Sequence, residues 1–434
     1  MRLALACFLF TVHLSSASFA ETVELPRAMQ DYVARPEPKF EWKLLETRAS
    51  AAGKIYDLEL TSQEWQGIVW RHALHVYEPA EVRHPGHVLL FVTGGRNGRR
   101  PGQGDVLRGM LLAKLCGARV AAIHQVPNQP LFEGRSEDDL ITDTWLRYLE
   151  TGDETWPLLF PMVKSAVKAM DAVQALANEE WKTTVEGFVI TGASKRGWTS
   201  WLAPVVDERV VATAPIVIDV LNFRPQMKHQ LDAWGKYSEQ IIDYTSKGLV
   251  KQDDESPRET RLREMVDPYT YRGVLSLPKL LVNGTNDRYW VVDAMNFYWN
   301  DLVGPKFVLQ VPNAGHGLDG GQHLAMSTIA AFFQHAATKE PLPELRWQHA
   351  NGAEGLTLRL RTDKPPRAAR LWSARSDTRD FRDSRWQAGT LSPDGDEYVG
   401  VLPRPAKGHV AYYGELEFDR AGLPYSLCTV IRVD

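Results

Sequence analysis

Ser194 stands two residues after Gly192, where the strand-length apolar run from Val185 to Ala193 gives way to the helix-compatible segment Lys195-Arg196-Gly197-Trp198. A sharp strand-to-helix turn of this kind is a nucleophile elbow, which lifts a serine hydroxyl above a sheet. A free serine hydroxyl is a poor nucleophile, so this reading needs a base and an orienting acid further along the chain. Asp287, in Asn283-Gly284-Thr285-Asn286-Asp287, and His316, in Pro312-Asn313-Ala314-Gly315-His316-Gly317, each follow a strand-like run of their own. Asp293 competes for the acid but falls inside the helix expected after the aspartate loop, which favours Asp287. His323 and His124 compete for the base, yet only His316 sits in a glycine-flanked loop directly after a strand. His124, His229 and His323 otherwise read as structural histidines.

These residues could carry out acyl transfer. Ser194 would attack, His316 would act as general base and then general acid, and Asp287 would hold the imidazole tautomer and stabilise its charged form. The backbone N–H of Lys195 points toward the expected oxyanion site. A second donor is expected from the Gly94-Gly95-Arg96 loop, because glycines let backbone approach a developing negative charge. The elbow departs from the G-x-S-x-G pattern: Arg196 stands where the last glycine belongs, and Gly197 comes one residue late. A bulky residue there is expected to crowd the turn. The bland alternative is a glycine-to-helix junction capped by a serine. The order Ser, Asp, His, each after its own strand, favours catalysis.

Lys195 and Arg196 put two cations beside the serine. They could steady an oxyanion or hold a carboxylate-bearing substrate, or both could point to solvent along the helix. Trp198, Tyr289 and Trp290 are candidates for an aromatic pocket suited to a sugar ring or an apolar peptide side chain. Trp201 and Trp299 read as core. No histidine pair has metal-site spacing with a nearby carboxylate, so no metal or other cofactor is assigned.

The elements that would position these residues follow from hydrophobic periodicity. Residues 40–93 alternate as β-structure, with strands expected at 40–47, 55–61, 68–77 and 87–93, the last continuously apolar as a buried central strand should be. Helices are expected at 107–115, 157–177 and 322–337, and further strands at 118–123, 210–218, 279–284 and 307–311. Strands alternating with helices imply an α/β fold with a doubly wound, mostly parallel sheet. Between 219 and 273 the pattern breaks into a polar, charge-rich helical insertion, either a lid over the site or a solvated excursion. After Pro341-Leu342-Pro343 the composition changes to short alternating runs at 356–360, 367–373, 397–402, 409–418 and 428–433, with a turn at Ser392-Pro393-Asp394-Gly395. That rhythm fits a small antiparallel β-sandwich, of immunoglobulin or fibronectin type. The expected division is therefore 1–20, 21–340 and 341–434.

At 434 residues the chain is long enough for two domains. Its formal net charge of -4 gives no footprint for a nucleic-acid partner or a polybasic membrane patch. Residues 1–20 read as an export signal: Arg2, a short apolar stretch from Leu3 to Leu14, then Ser18-Phe19-Ala20 before the cut. The mature protein is thus expected to be periplasmic or extracellular, with no transmembrane segment. Removing the signal leaves Cys116 and Cys428, read as two buried free thiols, with one bridge as the alternative.

Gly192-Ala193-Ser194-Lys195-Arg196-Gly197-Trp198-Thr199, Asn283-Gly284-Thr285-Asn286-Asp287-Arg288-Tyr289-Trp290 and Pro312-Asn313-Ala314-Gly315-His316 resemble the PhoPQ-activated pathogenicity-related protein family. So do Pro127-Asn128-Gln129-Pro130, the stretch from Thr151 to Leu158, and Arg379-Asp380-Phe381-Arg382, and among these Asn128 and Gln129 join the pocket candidates. The resemblance, which extends to the eukaryotic autocrine proliferation repressors, implies export and an α/β-hydrolase fold. The elbow alone is also similar to that of glucuronoyl esterases, with Lys195 where they carry arginine, and by analogy this makes a carbohydrate ester conceivable. The expected function is an exported serine hydrolase acting on a small-molecule ester, a carbohydrate ester or a peptide. The alternative is a secreted binding or signalling protein that keeps the fold without turnover.

Overall fold

The computed structural model describes residues 25–352 and 355–434. The segment read as an export signal lies outside them. A short helix α1 (Ala28–Ala34) leads into three antiparallel strands, β1 (Glu41–Ser50), β2 (Gly53–Trp65) and β3 (Ile68–Pro79). Alternation of strand and helix follows: β4 (His87–Val92), α2 (Gln103–Cys116), β5 (Arg119–Ile123), α3 (Glu137–Thr151), α4 (Leu159–Leu176), β6 (Gly187–Ala193), α5 (Lys195–Val206) and β7 (Val210–Ile216). The insertion contributes α6 (Phe223–Trp234), a single turn α7 (Ile242–Thr245) and α8 (Pro257–Val266). Then come β8 (Lys279–Gly284), β9 (Lys306–Val311) and α9 (Gln322–Thr338).

These strands form one nine-stranded sheet in the order β1-β2-β3-β5-β4-β6-β7-β8-β9. From β5 to β9 every pairing is parallel, and β3 joins β5 antiparallel. This is an α/β-hydrolase fold. The chain reverses its direction of growth at β4, which sits between β5 and β6, so helices pack on both faces. α2 packs with α9, whereas α4 packs with α1 and α5. Burial on both faces explains why β4, β5 and β6 are almost continuously apolar, while the edge strand β1 is mostly exposed. The crevice beyond the strand ends at such a reversal is where open α/β sheets bind ligands, and Ser194 directly follows β6 there.

The C-terminal residues build two antiparallel sheets. One runs β10 (Leu345–Gly352), β11 (Gly355–Thr362), β15 (Glu397–Leu402) and β14 (Ser392–Asp394); the other runs β13 (Gln387–Thr390), β12 (Ala368–Ser376), β16 (His409–Arg420) and β17 (Leu423–Cys428), with β18 (Arg432–Val433) also on β16. The sheets face each other, since Gly414 of β16 lies under the Leu358 and Leu360 side chains of β11. β17 also packs on α9 and β9, and Cys428 Sγ lies 3.9 Å from the Gln310 carbonyl. Cys116 and Cys428 are both buried and free.

Several elements differ from the sequence expectation. The 392–395 turn carries a three-residue edge strand, β14, before the left-handed Gly395. The run expected at 428–433 is broken between β17 and β18. α3 and β10 are not among the anticipated elements. The helix after Pro157 starts at Leu159 and extends into a π turn, Ala177–Trp181. Among the described residues no helix is long and apolar enough to cross a membrane.

Leu90, in the central strand β4, is fully buried. Leu90→Ala removes packed atoms from a site that cannot collapse between two helical layers. It should lower stability by about 2–5 kcal/mol, read as a lower urea midpoint with an unchanged m-value.

Candidate active site

The elbow is built by backbone strain and close packing. Ser194 has φ 58° and ψ -124°, a conformation sparsely populated for a residue with a side chain. It is held there by its N–H donating to the Ile216 carbonyl (2.9 Å) and by its own carbonyl accepting from Trp198 N–H (3.0 Å). The small residue this turn needs is Gly197: a Cβ there would lie 2.9 Å from the Gly192 oxygen and 3.0 Å from the Ile216 oxygen. The late glycine is therefore where α5 presses against β6 and β7.

Arg196 does not crowd the turn, contrary to the sequence expectation. Its side chain runs back over Gly94, donates to the Val126 carbonyl (2.5 Å) and forms a two-pronged pair with Glu137 at 2.8 and 2.7 Å. A Cβ on Gly94 would lie 2.5 Å from that guanidinium, so the glycine makes room for the arginine. Burial alone would raise the Glu137 carboxyl, but the Arg196 hydrogen bonds and charge outweigh it and hold the group at about 2.

His316 Nε2 lies 2.9 Å from Ser194 Oγ, and its Nδ1 lies 2.8 Å from Asp287 Oδ2. The other Asp287 oxygen accepts from Tyr289 N–H (2.9 Å), so the carboxylate is fixed at both oxygens. With Nδ1–H donating to Asp287, Nε2 carries the lone pair that faces the serine hydroxyl. The Tyr289 ring lies over the imidazole with centroids 4.3 Å apart. Asp293, the competing acid, instead binds His229 (2.6 Å) and Arg379 (3.2 Å). His124 bonds Thr93 through Nδ1, and His323 sits exposed on α9.

The loops bearing the acid and the base are stitched to one another. Asn286 N–H donates to the Ala314 carbonyl (2.9 Å), and Asn313 N–H donates to Thr285 Oγ1 (2.9 Å). Residues 381–386 of the C-terminal part then hold both loops from outside. The Asn286 amide donates to the carbonyls of Phe381, Arg382 and Ser384 (3.3, 3.1 and 2.7 Å). Asn313 and the Trp386 backbone exchange a reciprocal pair, 3.0 and 2.8 Å. No local periodicity marks this contact, although Asn286 and Asn313 are one and three residues from Asp287 and His316.

A cavity of about 30 Å³ opens at Ser194, lined by Trp198, Tyr289, Trp290, His316 and Lys195, and by Asp138 and Tyr244. The insertion lines it through Val220, Phe223, Ile241 and Tyr244, with Ile218 just before the insertion. Trp234 and Tyr237, two other aromatics of the insertion, lie elsewhere: Trp234 stacks under Arg382, and the Tyr237 hydroxyl accepts from Gln252. Lys195 is not solvent-directed. Its Nζ pairs with Asp138 (2.7 Å) and reaches the Tyr289 hydroxyl (3.4 Å), and Tyr244 also donates to Asp138 (3.0 Å). Burial would lower the Lys195 ammonium, but the Asp138 charge outweighs it and the group is raised. Asp138, Tyr244 and Glu137 were not anticipated; the only signal was the acidic run Glu137-Asp138-Asp139 after Ser136, which marks a helix start.

Asn128 and Gln129 do not line this cavity. Asn128 braces the Arg71 backbone at both its N–H and its carbonyl (2.8 and 2.9 Å). Gln129 spans from the Gly95 carbonyl (3.0 Å) to the Glu137 carboxylate and N–H (2.6 and 2.9 Å). Gln129 therefore shapes the 94–96 loop from behind, and Asn128 fixes β3. Gly95 and Arg96 are exposed and Gly94 half-buried. Among the described residues no cluster of His, Cys, Asp or Glu could hold a metal ion.

A family model described as PhoPQ-activated pathogenicity-related protein matches residues 29–382. Autocrine proliferation repressor protein A of Dictyostelium discoideum is 32% identical over 425 residues, covering 90% of this chain and 85% of that protein. Among solved structures, acetyl xylan esterase 1 from a Thermoanaerobacterium species aligns with TM-score 0.48 and 17% identity, over 72% of this chain and 94% of that one. An acetyl xylan esterase from a Paenibacillus species aligns with TM-score 0.47 and 15% identity, over 67% and 86%.

Two outcomes follow from this geometry. Asn286→Ala strips a side-chain donor from three carbonyls, and should lower stability by about 1–3 kcal/mol in urea titration, with the 381–386 segment exchanging amide protons faster. Asp219, buried against Tyr298 beside Asp287 and Asp293, is pushed up to about 7 by its burial. Its folded state thus holds a proton that the unfolded chain, titrating near pH 4, has released. Stability from this group is full below about pH 4 and declines as pH rises to about 7. Asp219→Asn should flatten that decline in urea midpoints measured across the window.

Proposed function

The chain belongs to the PhoPQ-activated pathogenicity-related protein family, and on that premise we propose that it is an exported serine hydrolase cleaving an ester or peptide bond. The observation that carries this reading is the unbroken relay Ser194–His316–Asp287, at 2.9 and 2.8 Å.

In this reading His316 Nε2 takes the Ser194 hydroxyl proton as Oγ bonds to the substrate carbonyl carbon. Asp287 holds the resulting imidazolium without accepting its proton. The tetrahedral oxyanion meets the Lys195 N–H, one of the first-turn amides of α5 that lack an intrahelical partner. It also meets an amide of the 94–96 loop, which Gln125 N–H and the Gln129 amide pin at the Gly94 and Gly95 carbonyls (2.9 and 3.0 Å). Collapse of the intermediate breaks the bond to the leaving group, which takes the proton from Nε2. Water then repeats the sequence on the acyl-enzyme and frees Ser194. Lys195 and Arg196 contribute little net charge here, since each is already paired with a carboxylate. The 219–273 insertion acts as a lid that excludes water from these steps.

A second reading, a secreted binding protein without turnover, is favoured by the narrowness of the Ser194 cavity, about 30 Å³, and by the 32% identical relative's name, a proliferation repressor.

A fluorophosphonate probe separates the two. The wild-type protein should label at Ser194, and Ser194→Ala should fold but neither label nor turn over an ester. His316→Ala should nearly abolish labelling, and Asp287→Asn should cut turnover on the order of 10⁴-fold. A wild-type protein that never labels would establish the binding reading.

A further inference from the structure

A second cavity meets the site from below. It lies between the sheet and the α2–α9 layer and has a volume of about 310 Å³, within the range of small-molecule sites and ten times that of the cavity at Ser194. Phe91, Ala122 and Ile216 of the sheet form one wall, and Leu112, Ala325 and Ile329 of the helices form the other. At one end it reaches His316, Thr93 and Ala193, the residues that flank the elbow and the 94–96 loop. At its rim stand the exposed Arg108 and Gln322. His316 lines both cavities, so a molecule engaged at Ser194 and His316 can extend into either.

The cleft opens to solvent beside Asp105, Arg108 and Gln322, so its apolar walls stand in water, and covering them with an apolar group of a bound molecule is favourable. Behind the wall, one buried atom lacks a partner. His124 is 7% exposed, and its Nε2 makes no hydrogen bond in the protein. Thr93 Oγ1 donates to the Gly94 carbonyl (3.3 Å) and so accepts from His124 Nδ1 (2.9 Å), which leaves a lone pair on Nε2. Burial pushes the His124 imidazole down to about 4, so it is neutral and can accept.

We propose that this cavity receives the apolar arm of the substrate, an alkyl chain or aryl group, while the small cavity under the insertion receives the short arm. The inference rests on the serine-hydrolase reading and narrows it to esters with one long apolar side. Either the acyl or the alcohol half could carry that arm, since both halves meet at His316 and Ser194.

The test uses the full mature chain and two ester series: p-nitrophenyl acylates from acetate to decanoate, and acetates of alcohols from methanol to decanol. In one series kcat/KM should rise with chain length, by up to about fourfold per methylene, over at least the first several carbons. Ala325→Phe, or Ile329→Trp should the first fold poorly, should cut the ratio of long-arm to short-arm kcat/KM at least tenfold. Decanol should raise the melting temperature of Ser194→Ala, and much less so when Ala325→Phe is added, a readout that needs no turnover. Fluorophosphonate labelling with flat kcat/KM in both series, or a ratio unmoved by filling, would overturn the cavity assignment and leave the hydrolase reading intact. Absent labelling together with decanol stabilisation lost on filling would sink the hydrolase reading and keep the apolar site. Absent labelling with no decanol stabilisation would remove both.

Discussion

The close approach of two loops at Gly284 is the constraint on which the site depends. A Cβ at that position would lie 2.4 Å from the Ala314 oxygen and 2.6 Å from the Gly315 oxygen, so only glycine lets β8 end directly beneath the histidine loop. This contact brings Asp287 to His316 without help from either side chain. The hydrogen bonds from Asn286 to Ala314 and from Asn313 to Thr285 then fix the register. Two loops that could otherwise move independently become one rigid unit, as a hydrogen-bond relay with little tolerance for displacement requires.

That unit is enclosed from a direction the α/β-hydrolase sheet does not supply. Asn286 and Asn313 bind the backbone of 381–386. Arg382 in the same segment stacks over Trp234 of α6 at 4.0 Å and pairs with Glu239, which also pairs with Arg288 beside Asp287. The C-terminal part therefore touches acid loop, base loop and insertion at once. Most of its polar contacts go to main-chain groups, and these fix position more than they add net stability. The exposed Arg288–Glu239 pair contributes little energy on its own and acts as part of a network.

The cations beside Ser194 are neutralised where they stand. Arg196 is committed to Glu137 and Lys195 to Asp138, and both carboxylates come from the first turn of α3. An unpaired buried cation at either position would be costly. The pairing also ties α5, which begins with Lys195, to α3 across the mouth of the site, so the same contacts that satisfy the charges define the cavity wall.

The sequence by itself determined the parallel sheet, the strand-to-helix turn at Ser194, and the strand-following loops of Asp287 and His316, which the structure brings within hydrogen-bond reach of one another and of Ser194. Each depends on local signals: apolar runs of strand length, and glycine at a strand-following turn. It also placed the change to antiparallel β-structure after Pro343, because alternation of period two is local. What only the tertiary structure decided is what these residues touch. The sequence did not say that Arg196 turns back to Glu137, that Asn128 braces the Arg71 backbone and Gln129 the 94–96 loop instead of lining the Ser194 cavity, or that 381–386 closes on the loops of Asp287 and His316. Arg196 and Glu137 are 59 residues apart and Asn286 and Ser384 are 98, and no periodicity encodes a meeting at that distance. It is set by which helices and loops the sheet order brings to one edge, and by the requirement that each buried charge and amide find a partner there.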